Sequence, residues 1–208
     1  MLTSQTFRDL FKTESIPAEN GLEFKSLTLL FTDLKGSTEM YRRLGDFKAY
    51  ALVREHFALL KKLVNASGGA VVKTIGDAIM ASFADPADAL EAAIDMHKEI
   101  SSVGMDQDLM LKIGIHAGPC IAVELNERLD YFGQTVNIAA RVQGVAEAGE
   151  IVTSDSVLES PEVRALVKKA KLVDSRGAAA LKGVSDNFSV HRLRPATRSS
   201  RVASTTRE

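Results

Sequence analysis

The groups in this sequence best suited to chemistry are a few charged side chains set among apolar ones. Asp33 stands in "FTDLKGST", at the end of an apolar run and directly before a Gly-Ser-Thr that can open a helix. A carboxylate at a strand end, beside free helix N-terminal N–H groups, suits a divalent metal next to a polyphosphate. The metal takes oxygen ligands and the amides take phosphate oxygens. Standing alone, Asp33 also reads as a helix cap. Asp77, in "KTIGDAIMASF", supplies a second carboxylate from a Gly76-Asp77 pair suited to a hairpin turn. Such a hairpin beside the first strand brings Asp77 toward the same sheet edge. Two carboxylates about 4 Å apart repel by about 4 kcal/mol at an effective dielectric near 20, which asks for a cation between them. Two metals are the usual answer in phosphoryl chemistry.

Lys73 lies on the strand that enters this hairpin. By simple alternation it shares a face with Val71 and Ile75, an ammonium among branched apolar neighbours. It reads either as a ligand-binding group or as a snorkelling lysine at a sheet edge. Asn137 and Arg141, four apart in "GQTVNIAARVQ", share one helix face, with the small Ala139 and Ala140 nearby. An amide and a guanidinium together can hold a sugar and a phosphate. An ordinary solvated helix face has the same spacing, and periodicity does not separate the two.

The elements that must carry these residues follow from pattern. "LEFKSLTLLFTDL" predicts a strand, and "GSTEMYRRLGDFKAYALVREHFALLKKLVNASGG" one long helix with a glycine stop. Ala70 to Ile75 and Ala78 to Phe83 predict the hairpin, and "DPADALEAAIDMHKEI" a helix with an Asp cap and an early Pro. "LMLKIGIHAGPCIAVELN" predicts two strands broken at Gly118-Pro119. An alanine-rich helix, the strand "GEIVTSD", the helical "SVLESPEVRALVKKA" and a last strand "NFSVHRL" complete the order. The alternation describes an α+β sandwich, with helices on a mostly antiparallel sheet. Residues 1–24 read as a lead-in helix or linker carrying Phe7, Leu10 and Phe11. Residues 25–194 read as one domain and 195–208 as a disordered tail.

Composition narrows the field. A chain of 208 residues, 45% hydrophobic, can build one substantial core. Its 26 basic and 27 acidic side chains leave a net charge of -1, so no whole-protein field gathers nucleic acid or anionic membrane. The single Cys120 excludes an intramolecular disulfide and a cysteine zinc cluster, and fits a reducing, cytoplasmic setting. No apolar run approaches the roughly 20 residues that span a bilayer.

Taken in order, "FTDLKGST", "KTIGDAIMASF", "IGIHAGP" and "LDYFGQTVNIAARV" resemble the catalytic domain of the class III adenylate and guanylate cyclases, from about Leu27 to Leu193. The resemblance implies a ferredoxin-like α/β sandwich that pairs head to tail as a homodimer, with shared active sites. It implies two divalent ions, Mg2+ or Mn2+, held by Asp33, Asp77 and the carbonyl of Leu34. The turn from Lys35 through Gly36 and Ser37 to Thr38 would line the triphosphate with amides. Lys73 and Asp130 match the pair that reads the purine, and relatives using GTP usually carry Glu and Cys there, so ATP is implied. Asn137 would orient the ribose, Arg141 would meet charge on the α-phosphate, and Lys182 is the candidate for holding the outgoing pyrophosphate. In such dimers the metal ligands come from one subunit, and Lys73, Asp130, Asn137 and Arg141 from the other.

The implied reaction is conversion of ATP to 3',5'-cyclic AMP and pyrophosphate, with regulation from an attached domain of a longer protein. Lys35 and Ser37 depart from the aliphatic and phenylalanine residues of many relatives, and Pro119 stands where some have an arginine. His116 reads as a core histidine. A catalytically inactive domain that binds nucleotide or dimerises would show damage at a catalytic position, and none is found. Guanylate cyclase activity is the other alternative within the family. A palm-type polymerase or diguanylate cyclase fails on the turn, which lacks a paired acidic residue.

Overall fold

A computed structural model of the chain describes residues 21–102, 110–125 and 128–196. The lead-in helix around Phe7 and the tail after residue 196 lie outside the described residues. The first strand, β1 (Leu22–Lys35), leads to α1 (Ser37–Leu44) and α2 (Asp46–Ala66), then to the hairpin β2 (Ala70–Ile75) and β3 (Ala78–Phe83). Helix α3 (Pro86–Ser102), β4 (Met110–Leu125) and β5 (Arg128–Phe132) follow. Then come α4 (Gln134–Gly144), β6 (Ile151–Ser154), α5 (Asp155–Leu158) and α6 (Pro161–Lys169). The hairpin β7 (Leu172–Leu181) and β8 (Ser185–Pro195) closes the described chain.

The strands form one sheet in the order β2-β3-β1-β4-β6-β8-β7, with β5 paired to β4 off that path. Only the β4–β6 pairing among these is parallel. The first four strands and their connecting helices follow the βαββαβ pattern of the ferredoxin-like sandwich. One face is dry. Leu30, Ile79, Ala81 and Ile113 pack there against Leu60 and Val64 of α2, Leu90 and Met96 of α3 and Val163 of α6. The opposite face carries Leu29, Phe31, Met80 and Tyr131 under Ala139 of α4, a smaller cluster that covers it in part.

Three expectations change. The long helix breaks at Gly45, whose φ of 76° and ψ of 159° cap α1 and start α2 in a new direction. The expected break at Gly118-Pro119 is absent, and β4 runs through it as one strand. The missing N–H of Pro119 falls where the β1–β4 ladder shifts register, between the Phe24–Cys120 and Leu27–Gly118 pairs, so it is not called upon. Two strands, β5 and β7, lie outside the expected order. The segment "LVDSRGAAAL" of β7 is largely exposed and poor in strand-favouring residues, and its pairing with β8 holds it in place.

Candidate active site

Asp33 lies near the end of β1, opposite Lys112 of β4, whose Nζ is 3.4 Å from Asp33 Oδ2. Asp77 sits in the β2–β3 turn after Gly76, which has a φ of 63°. The two aspartates share one end of the sheet: the Ile79 amide, two residues beyond Asp77, donates to Thr32 Oγ1 at 3.1 Å, next to Asp33. Asp77 Oδ2 is buried with no hydrogen-bond partner. A carboxylate oxygen can only accept, so an orphaned one in the interior calls for a donor or a cation. No group of three or more His, Cys, Asp or Glu forms a metal cluster among the described residues. Two carboxylates, backbone oxygen and phosphate oxygens together are the donor set of a magnesium-type site, and the residues present fit it.

Leu34 is buried in the helix-side core and anchors the backbone after Asp33. Gly36 then turns the chain with a φ of 93°, and the first bond of α1 runs from the Met40 amide to the Gly36 carbonyl. The Ser37 and Thr38 amides therefore lie ahead of the intrahelical ladder, where an anion meets both N–H groups and the helix dipole.

Lys73 and Asp130 come together across the sheet face: Nζ lies 2.6 Å from Oδ2 and 2.8 Å from Oδ1. Simple alternation fails to predict this, because β2 carries one extra residue between Val71 and Lys73. Val71 pairs with Ala81 and Lys73 with Met80. Ala81 belongs to the helix-covered core and Met80 to the opposite cluster, so Lys73 faces away from Val71. The bulge corrects the expected shared face and aims the ammonium at β5. The Tyr131 amide donates to Asp130 Oδ1 at 2.8 Å and steadies the carboxylate.

Helix α4 presents the remaining pair. Its buried Thr135 donates to the Pro119 carbonyl, and Ala139 and Val142 are fully buried. Strand β4 meets the helix at Gly114, where a Cβ would stand 2.2 Å from the Gln143 amide nitrogen. At the far end Glu150, also fully buried, accepts from Arg192 Nη1 at 2.7 Å and Arg194 Nε at 2.9 Å. Arg192 Nη1 also donates to the Val145 carbonyl at the helix terminus, at 3.0 Å. Asn137 is exposed, and Arg141 Nη1 donates to its carbonyl at 3.1 Å. Lys182 is exposed in the β7–β8 turn beside Gly183, whose Cβ position lies 3.7 Å from Arg141 Nη2. The turn of Lys182 and the Arg141 guanidinium thus share one corner.

His116 is a core histidine, as expected. Its Nδ1 is 2.7 Å from Ser154 Oγ, and burial pushes its pKa down to about 4. Burial also raises the pKa of the Cys120 thiol. Sequence reasoning missed Lys112 and the buried His56 of α2. Antiparallel pairing of "FTDLK" with "LMLKIGIH" in the observed register would have exposed Lys112; nothing in the helix pattern marks His56.

A family model described as the adenylate and guanylate cyclase catalytic domain matches residues 21–194. The chain belongs to this family. It is 28% identical over 191 residues to an adenylate cyclase of Anabaena cylindrica, covering 82% of this chain and 37% of that protein. The adenylyl cyclase CyaB from P. aeruginosa superimposes with a TM-score of 0.70 at 26% identity, over 86% of this chain and 98% of the solved one. The guanylate cyclase domain of RhGC from Catenaria anguillulae, solved with GTP, shares the fold at a TM-score of 0.71 and 23% identity, over 84% and 98% of the two chains. The chain spans between 6% and 37% of the first curated adenylate cyclases it matches. Among the described residues no helix is long and apolar enough to cross a membrane. Cyclases of both base preferences share this fold, so the choice of purine rests on individual side chains.

Proposed function

We propose that this cyclase domain converts ATP to 3',5'-cyclic AMP and pyrophosphate. The Lys73–Asp130 contact carries the reading: it sets a donor and an acceptor 2.6 Å apart where an adenine edge offers a ring nitrogen and an amino group. Both side chains are partly exposed, so their mutual attraction is weak and the pair opens to a base at little cost. Guanine presents a carbonyl where adenine has its amino group, and Asp130 repels it.

Asp33, Asp77 and the Leu34 carbonyl would hold two divalent ions, Mg2+ or Mn2+, supplying Lewis-acid stabilisation of the ribose 3'-oxygen and the phosphates. The chain's own groups do the rest. The amides at Gly36, Ser37 and Thr38 receive phosphate oxygens, and Lys112 stands beside Asp33 as a further cation for them. Asn137 orients the ribose and Arg141 stabilises charge growing on the α-phosphate in the in-line displacement. Lys182, in the turn beside Arg141, draws off the pyrophosphate.

The active unit is a homodimer in which the aspartates of one subunit face Lys73, Asp130, Asn137 and Arg141 of the other. Ile121 and Phe132, paired across β4 and β5, set two exposed large apolar side chains on one face of that edge, which suits such a partner. The lone buried cysteine fits cytoplasmic conditions, and an attached regulatory domain fits the greater length of the relatives. Incubation with ATP or GTP and each metal, followed by chromatography of the products, tests the reading. Cyclic AMP from ATP supports it; cyclic GMP from GTP alone, or no product with either metal, overturns it.

A further inference from the structure

Asp33 and Lys112 stand directly opposite each other in the β1–β4 ladder. The next pair along, Leu34 and Leu111, is buried in the helix-covered core, which pins the register and turns both charged side chains to the other face. There Lys112 Nζ lies 3.4 Å from Asp33 Oδ2, and the lysine side chain is 21% exposed. Asp33 is its one ion-pair partner among the described residues. The contact is longer than the about 2.7–2.9 Å of a tight charge-assisted hydrogen bond, so the pair is held by charge and exchanges readily. A flexible four-carbon stem lets the ammonium change anions without backbone movement. Just past Asp33 the chain turns at Gly36, and the Ser37 and Thr38 amides lie ahead of the α1 ladder, where phosphate oxygens would dock. Lys112 therefore acts in opposite directions on the two ligands of the site. A cation beside a metal-binding carboxylate opposes a divalent ion, and the same cation attracts a triphosphate.

We propose that Lys112 is the resident counter-cation of this site: its ammonium balances Asp33 before ligands bind, and passes to the triphosphate as the divalent ion takes the carboxylate. Metal then binds tightly only in company with nucleotide, and each ligand strengthens the other. The inference rests on the reading of Asp33 as a metal ligand and of the turn after it as the phosphate site.

The test is a pair of separate titrations of the full chain, in wild type, Lys112→Met, Lys112→Arg and Asp33→Asn. Mn2+ binding without nucleotide is followed through the electron-spin resonance of free Mn2+, and binding of a fluorescent ATP analogue is followed in EDTA. Lys112→Met is expected to bind Mn2+ roughly 5-fold or more tighter, and the analogue roughly 5-fold or more weaker, than wild type. Lys112→Arg, which keeps the charge, should stay near wild type in both. A misfolded or loosened protein loses affinity for both ligands, so the opposite signs separate this role from a structural one. If Lys112→Met does not fold, Lys112→Gln takes its place with the same expected outcome. Unchanged or weaker Mn2+ binding in the neutral variant, with affinity lost in Asp33→Asn, overturns this inference alone. Tighter Mn2+ binding with unchanged analogue binding overturns it too. Unchanged Mn2+ affinity in Asp33→Asn overturns the metal reading and this inference with it.

Discussion

Lys73 Nζ and Asp130 Oδ2 lie 2.6 Å apart although 57 residues separate them in the chain. Their contact joins β2, at one edge of the sheet, to β5, which hangs from β4. If this pair reads adenine, Lys73→Glu with Asp130→Cys should move the preference toward GTP. Cyclic GMP formation should exceed cyclic AMP formation in the double variant, measured as the ratio of the two kcat/KM values. Persistence of a wild-type ratio would remove the pair from base recognition.

Asp33→Ala and Asp77→Ala should each reduce turnover to background while the fold persists, as circular dichroism would report. Full activity in Asp77→Ala contradicts the metal assignment.

Arg141→Ala should lower kcat by roughly 10²–10³-fold with a small change in KM, because its contact matters only as charge develops. Mixed with Asp33→Ala, it should regain activity, since one of the two active sites in a heterodimer then holds an intact set of residues. Failure of the mixture to regain activity, with dimers present, would rule out shared sites.

Gly114→Ala should disturb α4 more than its single methyl suggests. The new Cβ meets the backbone of Gln143, which cannot turn aside as a side chain does. A loss of about 1–3 kcal/mol in stability is expected from such overpacking. Any surviving enzyme should show a reduced kcat, because Asn137 and Arg141 travel with the helix.

Acid should weaken the fold in a defined window. His116 has a pKa of about 4 when folded against about 6.5 when exposed. Between those values the unfolded chain binds the proton that the folded chain refuses, so stability falls as pH drops from about 6.5 toward 4 and then levels off. The contribution is on the order of 3 kcal/mol, and His56 acts with the same sign. Urea denaturation of wild type and His116→Gln across this range should show a shallower pH slope in the variant.

Much of this was legible in the sequence because it depends on local chemistry. The Gly76-Asp77 turn, the apolar core strands and the α4 motif each announce themselves within a dozen residues. Asp130 and Lys73 could be paired only through the family resemblance, since nothing local links residues so far apart. Lys112 stayed hidden for a related reason: the cross-strand register that sets it opposite Asp33 is a long-range fact. The break at Gly45 was written in Leu-Gly-Asp but outvoted by helical periodicity on both sides. Strand β7 was invisible because its partner, and not its own composition, makes it a strand.

The extra residue in β2 turns substrate choice into a matter of parity. From Val71 to Lys73 the chain advances two residues while its partner strand advances one. Without that shift Val72 would pair with Met80 and Lys73 with Ile79, sending the ammonium into the helix-covered core and leaving the purine site without its donor. The register of β2 against β3, and not the identity of residue 73 alone, therefore decides where the ammonium goes.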